Sequence, residues 1–224
     1  MSRVVGSDLN DGFGPQVLDL PDKPGIPDGV MWGVGLRHCI ILGLGSEIAG
    51  MLKARLERDE WTVSGRSRSH PFLPTERWDL LIVAQGTMRP IGRFFDCDAA
   101  QWEEAIQVNA LAPLRYLREL WPQRKMGAKV VFISGPNPTV PTPTYSAYRA
   151  GKSLLESLIS TLNSEGGATF HWLIPGIVKT KIHLESVEAG NRAENIAKVL
   201  AIVHGEWPTV DGDEVYRRLR NLIA

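Results

Sequence analysis

The sequence predicts an α/β protein: a parallel sheet covered by helices on both faces. Two observations carry this. Short apolar runs recur along the chain at His38–Gly43, Trp61–Gly65, Trp78–Ala84, Lys129–Ser134 and Thr169–Ile174. Between them lie segments with apolar residues at helical spacing, such as Ile48, Met51, Leu52 and Leu56, then Leu154, Leu155, Leu158, Ile159 and Leu162. Strands that are apolar throughout and alternate with helices suit a sheet buried on both faces. Ligands of such sheets bind outside the carboxyl ends of the strands, near a switch in strand order. Here those ends carry Gly43, Arg66, Gly86, Ser134 and Pro175-Gly176.

The chain of 224 residues suits one domain with a real core. It is 43% hydrophobic and 22% charged with zero formal net charge, which speaks against a nucleic-acid partner. Cys39 and Cys97 have no metal-ligand spacing, nor do the five histidines, so no metal is expected. No apolar run approaches membrane-spanning length and the N-terminus has no signal pattern, so the expectation is a soluble cytoplasmic protein without a membrane partner.

Taken in order, residues 1–36 read as an extended arm. They carry seven glycines and four prolines and keep neither period 2 nor period 3.6. Residues 37–224 read as the folded domain. The first strand enters Gly43-Leu44-Gly45-Ser46-Glu47-Ile48-Ala49, a tight turn opening a helix. Backbone N–H groups at such a helix start favour an anion, and glycine permits close approach. The second strand ends in Gly65-Arg66-Ser67-Arg68, two guanidiniums and a hydroxyl suited to a phosphate. The strand from Trp78 closes with Ala84-Gln85-Gly86, and one long helix is expected from Ala99 to Trp121. Pro136, Pro138, Pro141 and Pro143 make the loop after Ser134 non-helical. The next helix opens with Tyr145-Ser-Ala-Tyr148-Arg-Ala-Gly-Lys152. Tyr148 and Lys152 stand one turn apart on one face, and the ammonium is expected to draw the phenol down from about 10. Helices near Arg192–His204 and Asp213–Ile223 finish the chain.

Across residues 37–180, these motifs together resemble the short-chain dehydrogenase/reductase family. The turn from Gly43 to Ala49 is similar to that family's Gly-x-x-x-Gly-x-Gly loop. Ala84-Gln85-Gly86 stands where Asn-Ala-Gly is usual, and Asn109 matches the helix asparagine. Ser134 matches the serine that precedes the Tyr-x-x-x-Lys pair, here Tyr148 and Lys152. Pro175-Gly176-Ile-Val178-Lys-Thr180 resembles the segment that approaches the nicotinamide. The resemblance implies a Rossmann-type doubly wound sheet in three layers and an oxidoreductase interconverting a carbonyl and an alcohol on a small organic substrate. It implies that Tyr148 transfers the proton, Lys152 depresses the Tyr148 pKa and bonds the nicotinamide ribose, and Ser134 orients the substrate oxygen. Asn109 would hold a relay water. Without an acid after the second strand, Arg66, Ser67 and Arg68 favour NADP(H) over NAD(H). By the same resemblance, helices 99–121 and 145–164 are expected to pair into a homodimer or homotetramer.

The chain departs from the family in several places, among them a short loop after Thr180 and Trp207-Pro-Thr-Val-Asp-Gly in place of the closing strand. Glu47 and Ala49 replace glycines, Glu47 placing a carboxylate near the phosphates. Gln85 is expected to weaken the usual contacts after its strand. Ser134 lies fourteen residues before Tyr148, one more than is common, with Gly135 at the unshifted position. The third-strand region between Arg68 and Asp79 is shortened or missing, and His70-Pro71-Phe72 is a candidate cover for the adenine. Two other readings keep the scaffold: a non-catalytic dinucleotide-binding protein for sensing or assembly, and an epimerase or dehydratase. Four tetrad residue types argue for catalysis, because binding alone does not need the Tyr–Lys pair.

Overall fold

In the computed structural model five strands form one parallel sheet in the order β2-β1-β3-β4-β5. They are β1 (His38–Leu42), β2 (Thr62–Arg66), β3 (Trp78–Val83), β4 (Arg124–Ile133) and β5 (Thr169–Leu173). The structure describes residues 37–135 and 141–224. The expected N-terminal arm and the middle of the Pro-rich loop lie outside the described residues. Leu36–Ala224 form one compact unit.

Strand alternation divides the core in two. Cys39, Ile41, Leu80, Ile82, Val131 and Ile133 face α1 (Glu47–Arg58) and the last helix, where Leu52, Leu56, Val215 and Leu219 meet them. Ile40, Leu42, Leu81, Val83, Val130 and Phe132 face the opposite layer and its Leu117, Leu120 and Leu155. Most of these side chains are fully buried. Each such Leu or Ile contributes about 1.5–3 kcal/mol over its exposed state. Both faces of β1, β3 and β4 are thus apolar, which is why these runs read as continuous rather than alternating.

The chain passes from β2 to β3 through residues 67–77 with no strand between. β2 therefore pairs only with β1 and forms one edge of the sheet. This is the shortened third-strand region, and it leaves the strand order reversing between β1 and β3.

The long helix expected over 99–121 is interrupted. It runs as α2 (Ala99–Ile106), a π-helical turn (Gln107–Leu111) and α3 (Ala112–Leu120). Pro113 has no N–H to donate to the Asn109 carbonyl four residues back. The register widens there, and the Ala112 N–H donates to Gln107 O. α4 spans Ser146–Glu165. Between β5 and the last helix stand two helices where one was expected, α5 (Ile182–Ala189) and α6 (Ile196–His204). Gly190 and Asn195, both at positive φ, flank the break between them. α7 (Gly212–Ile223) closes the chain. The segment before it makes no strand, but the Val210 N–H donates to Ile177 O at 2.7 Å. Arg218 Nη1 reaches Ile174 O at 3.2 Å, so the basic end of α7 is partly spent on the strand terminus beneath it.

Candidate active site

The turn after β1 is shaped by Gly43. Its φ is +89°, and a Cβ there would stand 2.5 Å from the Gln85 nitrogen. Only glycine brings the β1 and β3 ends this close. The N–H groups of Gly43 and Leu44 both donate to Arg66 O at 2.9 Å, tying the turn to β2. Ser46 caps α1, its hydroxyl accepting the Ala49 N–H at 3.2 Å. Residues 43–48 thus form a cradle at a helix start.

From this cradle a single cavity of about 1380 Å³ extends across the carboxyl ends of the strands. Gly43, Gly45, Ser46, Glu47, Ile48, Arg66, Ser67, Arg68, Ala84, Gln85 and Gly86 line one part of it. Ser134, Tyr148, Lys152, Pro175, Gly176, Val178 and Thr180 line the rest. Asn109 does not line the cavity and lies wholly buried behind it.

Tyr148 and Lys152 rise from the first turns of α4, buried at 8% and 6% exposure. Burial pushes the Tyr148 phenol up to about 12, with Arg149 acting in the other direction. Burial pushes the Lys152 ammonium down to about 8. The expected lowering of the phenol by the ammonium is therefore not found. Lys152 Nζ donates to Ile133 O at 3.0 Å and Gln85 O at 3.1 Å, and stands 5.9 Å from the Tyr148 ring centroid. Desolvation of the phenolate prevails over the opposing pull of Arg149.

Asn109 is held in the π-helical turn, and its side chain is spoken for. Oδ1 accepts the Thr87 N–H at 2.8 Å and Nδ2 donates to Thr87 O at 2.9 Å. The amide thus fixes the loop after β3. Two glycines let this knot form. A Cβ at Gly151 would come within 2.5 Å of the Asn109 Cβ, and one at Gly86 would meet Asn109 Oδ1 at 3.1 Å and Lys152 Nζ at 3.5 Å.

Gly135 abuts the tyrosine hydroxyl: a Cβ built on Gly135 would stand 2.6 Å from Tyr148 Oη. Ser134 is 6% exposed, lines the cavity, and has its N–H paired with Leu173 O at 2.9 Å. Successive residues leaving a strand point to opposite sides. The extra residue between Ser134 and Tyr148 therefore matters to the geometry.

Gln85 does not weaken its surroundings as expected. Its Nε2 donates to Val108 O at 2.8 Å, linking the end of β3 to the π-helical turn. α5 adds a clasp that no sequence motif announced. Glu185 Oε2 accepts the Met88 N–H at 2.6 Å and the Thr87 hydroxyl at 3.0 Å, and Tyr145 donates to Ser186 Oγ at 3.0 Å. Arg89 and Glu188 form an ion pair beside it. These contacts join residues 41 to 99 positions apart, beyond any local spacing rule.

At the far end of the cavity Arg66 Nε donates to Pro71 O at 2.6 Å, and its guanidinium lies 4.3 Å over the Tyr116 ring. Ser67 Oγ is engaged with Ser69 Oγ at 2.9 Å and accepts the His70 N–H at 3.1 Å. Gln101, Glu104, Ala105, Val108 and Tyr116 form the facing wall. Phe72 is 85% exposed and neither it, Pro71 nor His70 lines the cavity, so the expected adenine cover is not formed by that segment. Among the described residues no group of three His, Cys, Asp or Glu could hold a metal, and no helix is long and apolar enough to cross a membrane.

Comparison with known proteins agrees with this architecture. The chain resembles a small-chain dehydrogenase solved in complex with NADPH, with a TM-score of 0.70 and 18% identity over 84% of this chain and 91% of that one. It also resembles a short chain dehydrogenase family protein of Francisella tularensis, with a TM-score of 0.67 and 16% identity over the same shares. At these identities the likeness shows the fold. Among curated proteins it is similar to the human dehydrogenase/reductase SDR family member 4, 26% identical over 106 residues, which are 45% of this chain and 38% of the human one. An uncharacterized oxidoreductase of Schizosaccharomyces pombe is 23% identical over 116 residues, 51% of this chain and 47% of that protein. The matches thus span less than half the length of these curated relatives. The family model for short chain dehydrogenase matches residues 74–190, a stretch that includes Asn109, Ser134, Tyr148 and Lys152. That stretch is more than half of the 224 residues, and the chain belongs to the short chain dehydrogenase family.

Proposed function

We propose that the protein is an NADP(H)-dependent oxidoreductase that interconverts a carbonyl and an alcohol on a small organic substrate. The observation that carries this reading is the single cavity joining the glycine cradle at α1 to the buried Tyr148–Lys152 pair. The cradle fits a dinucleotide: the approach of Gly43 to Gln85 leaves no room for a Cβ, and the α1 start offers N–H groups to a pyrophosphate. Gly43 through Ile48 would hold the phosphates, Ala84 to Gly86 and Pro175 to Thr180 the nicotinamide half, and Arg66, Ser67 and Arg68 the ribose phosphate. The nicotinamide supplies or accepts the hydride.

The protein's own part is proton transfer and positioning. With its phenol near 12, Tyr148 keeps its proton at neutral pH. It is therefore set as a donor from Oη to a substrate carbonyl oxygen when the reaction runs as a reduction. Lys152, charged below about 8, is the buried cation 5.9 Å from the Tyr148 ring centroid, set to hold the nicotinamide ribose. Asn109 holds Thr87 and so the loop beside this pair. Ser134 orients the substrate from the cavity wall, a weaker role than that of Tyr148. Assembly through the outer faces of α2–α3 and α4 fits the half-exposed Leu111 on that surface.

The test is NADPH titration and turnover on a panel of small aldehydes and ketones, for wild type, Tyr148→Phe and Ser134→Ala. Tyr148→Phe should keep NADPH affinity within about threefold and lose about 10²–10⁴ in turnover. Ser134→Ala should lose clearly less than Tyr148→Phe. Full turnover by Tyr148→Phe would refute the assignment of the proton donor.

A further inference from the structure

Opposite the glycine cradle, Lys181 at the start of α5 reaches back across the mouth of the cavity. Its Nζ donates to Gly45 O at 2.9 Å and lies 3.7 Å from Glu47 Oε1. Both side chains line the cavity, and Lys181 is more than half exposed while Glu47 is about a third exposed. The contact joins residues 136 positions apart, the phosphate turn and the segment directly after Thr180.

Glu47 sits in the first turn of α1, where a carboxylate gains from the helix dipole. That is also where the cradle would receive a pyrophosphate. A carboxylate beside two phosphate charges opposes them, the more so in a partly enclosed cleft. Lys181 stands between the two claims, because its ammonium contacts the carboxylate and the turn carbonyl at once. We propose that Lys181 is a cofactor-binding residue whose task is to neutralise Glu47, so that the two form one charge-compensated phosphate site. The proposal rests on the dinucleotide reading given above and adds to it two residues acting as a unit.

The pair predicts non-additive behaviour. Lys181→Ala leaves Glu47 uncompensated and should weaken NADPH binding about tenfold at low salt, with a smaller loss at high salt. Glu47→Gln should tighten binding about two- to fivefold. In the E47Q background, Lys181→Ala should then cost less than about twofold, and Lys181→Arg should retain affinity in the otherwise native chain. All variants are read by calorimetric titration of the full chain with NADPH and with NADH, alongside thermal unfolding. Both side chains are solvent-accessible and the midpoints should stay together. An equal loss from Lys181→Ala in both backgrounds would overturn the compensation, and so would unchanged affinity in the single variant. A wild-type chain that binds neither NADPH nor NADH would instead refute the dinucleotide reading on which the proposal stands.

Discussion

Replacing Lys152 by methionine tests how the site's charge is stored. Burial lowers the ammonium from 10.5 to about 8. The unfolded chain therefore binds more protons than the folded one between about pH 8 and 10.5, and wild-type stability must rise with pH through that window. Linkage gives almost no pH slope from this group below pH 7 and about 2–3 kcal/mol of relative gain by pH 10. Lys152→Met removes the titration while keeping the length and apolar stem. Its offset at pH 7 combines relief from burying a charge with the loss of two bonds, to Gln85 O and Ile133 O. The pH slope does not depend on that offset, because effects common to both proteins cancel in the difference. Urea unfolding of both proteins at pH 7, 8, 9 and 10 measures it. The wild type should gain about 2–3 kcal/mol on the variant from pH 7 to 10. Parallel curves would refute the claim that Lys152 is buried with a depressed pKa.

Two further outcomes follow from the packing around the pair and from the adenine end. Gly151→Ala brings a Cβ to 2.5 Å from the Asn109 Cβ and should destabilise the fold by about 1–3 kcal/mol, read as a lowered urea midpoint, while also weakening turnover through the displaced Thr87 loop. Arg66→Ala combined with Arg68→Ala should weaken NADPH binding at least tenfold and NADH binding much less, measured by paired titrations; equal losses would remove the 2′-phosphate assignment.

Much of this site was readable along the chain because its parts are local. A glycine turn after an apolar strand, a Tyr and a Lys at helical spacing and a Pro-Gly after the last strand each follow from short-range rules. The unbroken helix expected over 99–121 missed the irregular turn at Asn109, although Pro113, with no N–H to give four residues back, was the signal that could have marked it. α5, the first helix after β5, was harder to see, because its hold on the domain comes from Glu185 and Ser186 meeting Met88, Thr87 and Tyr145 across the cavity.

The sequence by itself determined the parallel sheet, the two apolar faces of its central strands, the order of the motifs and the pairing of Tyr148 with Lys152 on one face. These depend on side-chain type and period. The tertiary structure alone decided that Gly135 abuts the Tyr148 hydroxyl, that Asn109 is spent on Thr87, and that Lys181 reaches Glu47. It also reversed the expected direction of the Tyr148 pKa. The reason is common to all four. Desolvation and contact depend on which distant segments close over a group, and no spacing within one helix records that.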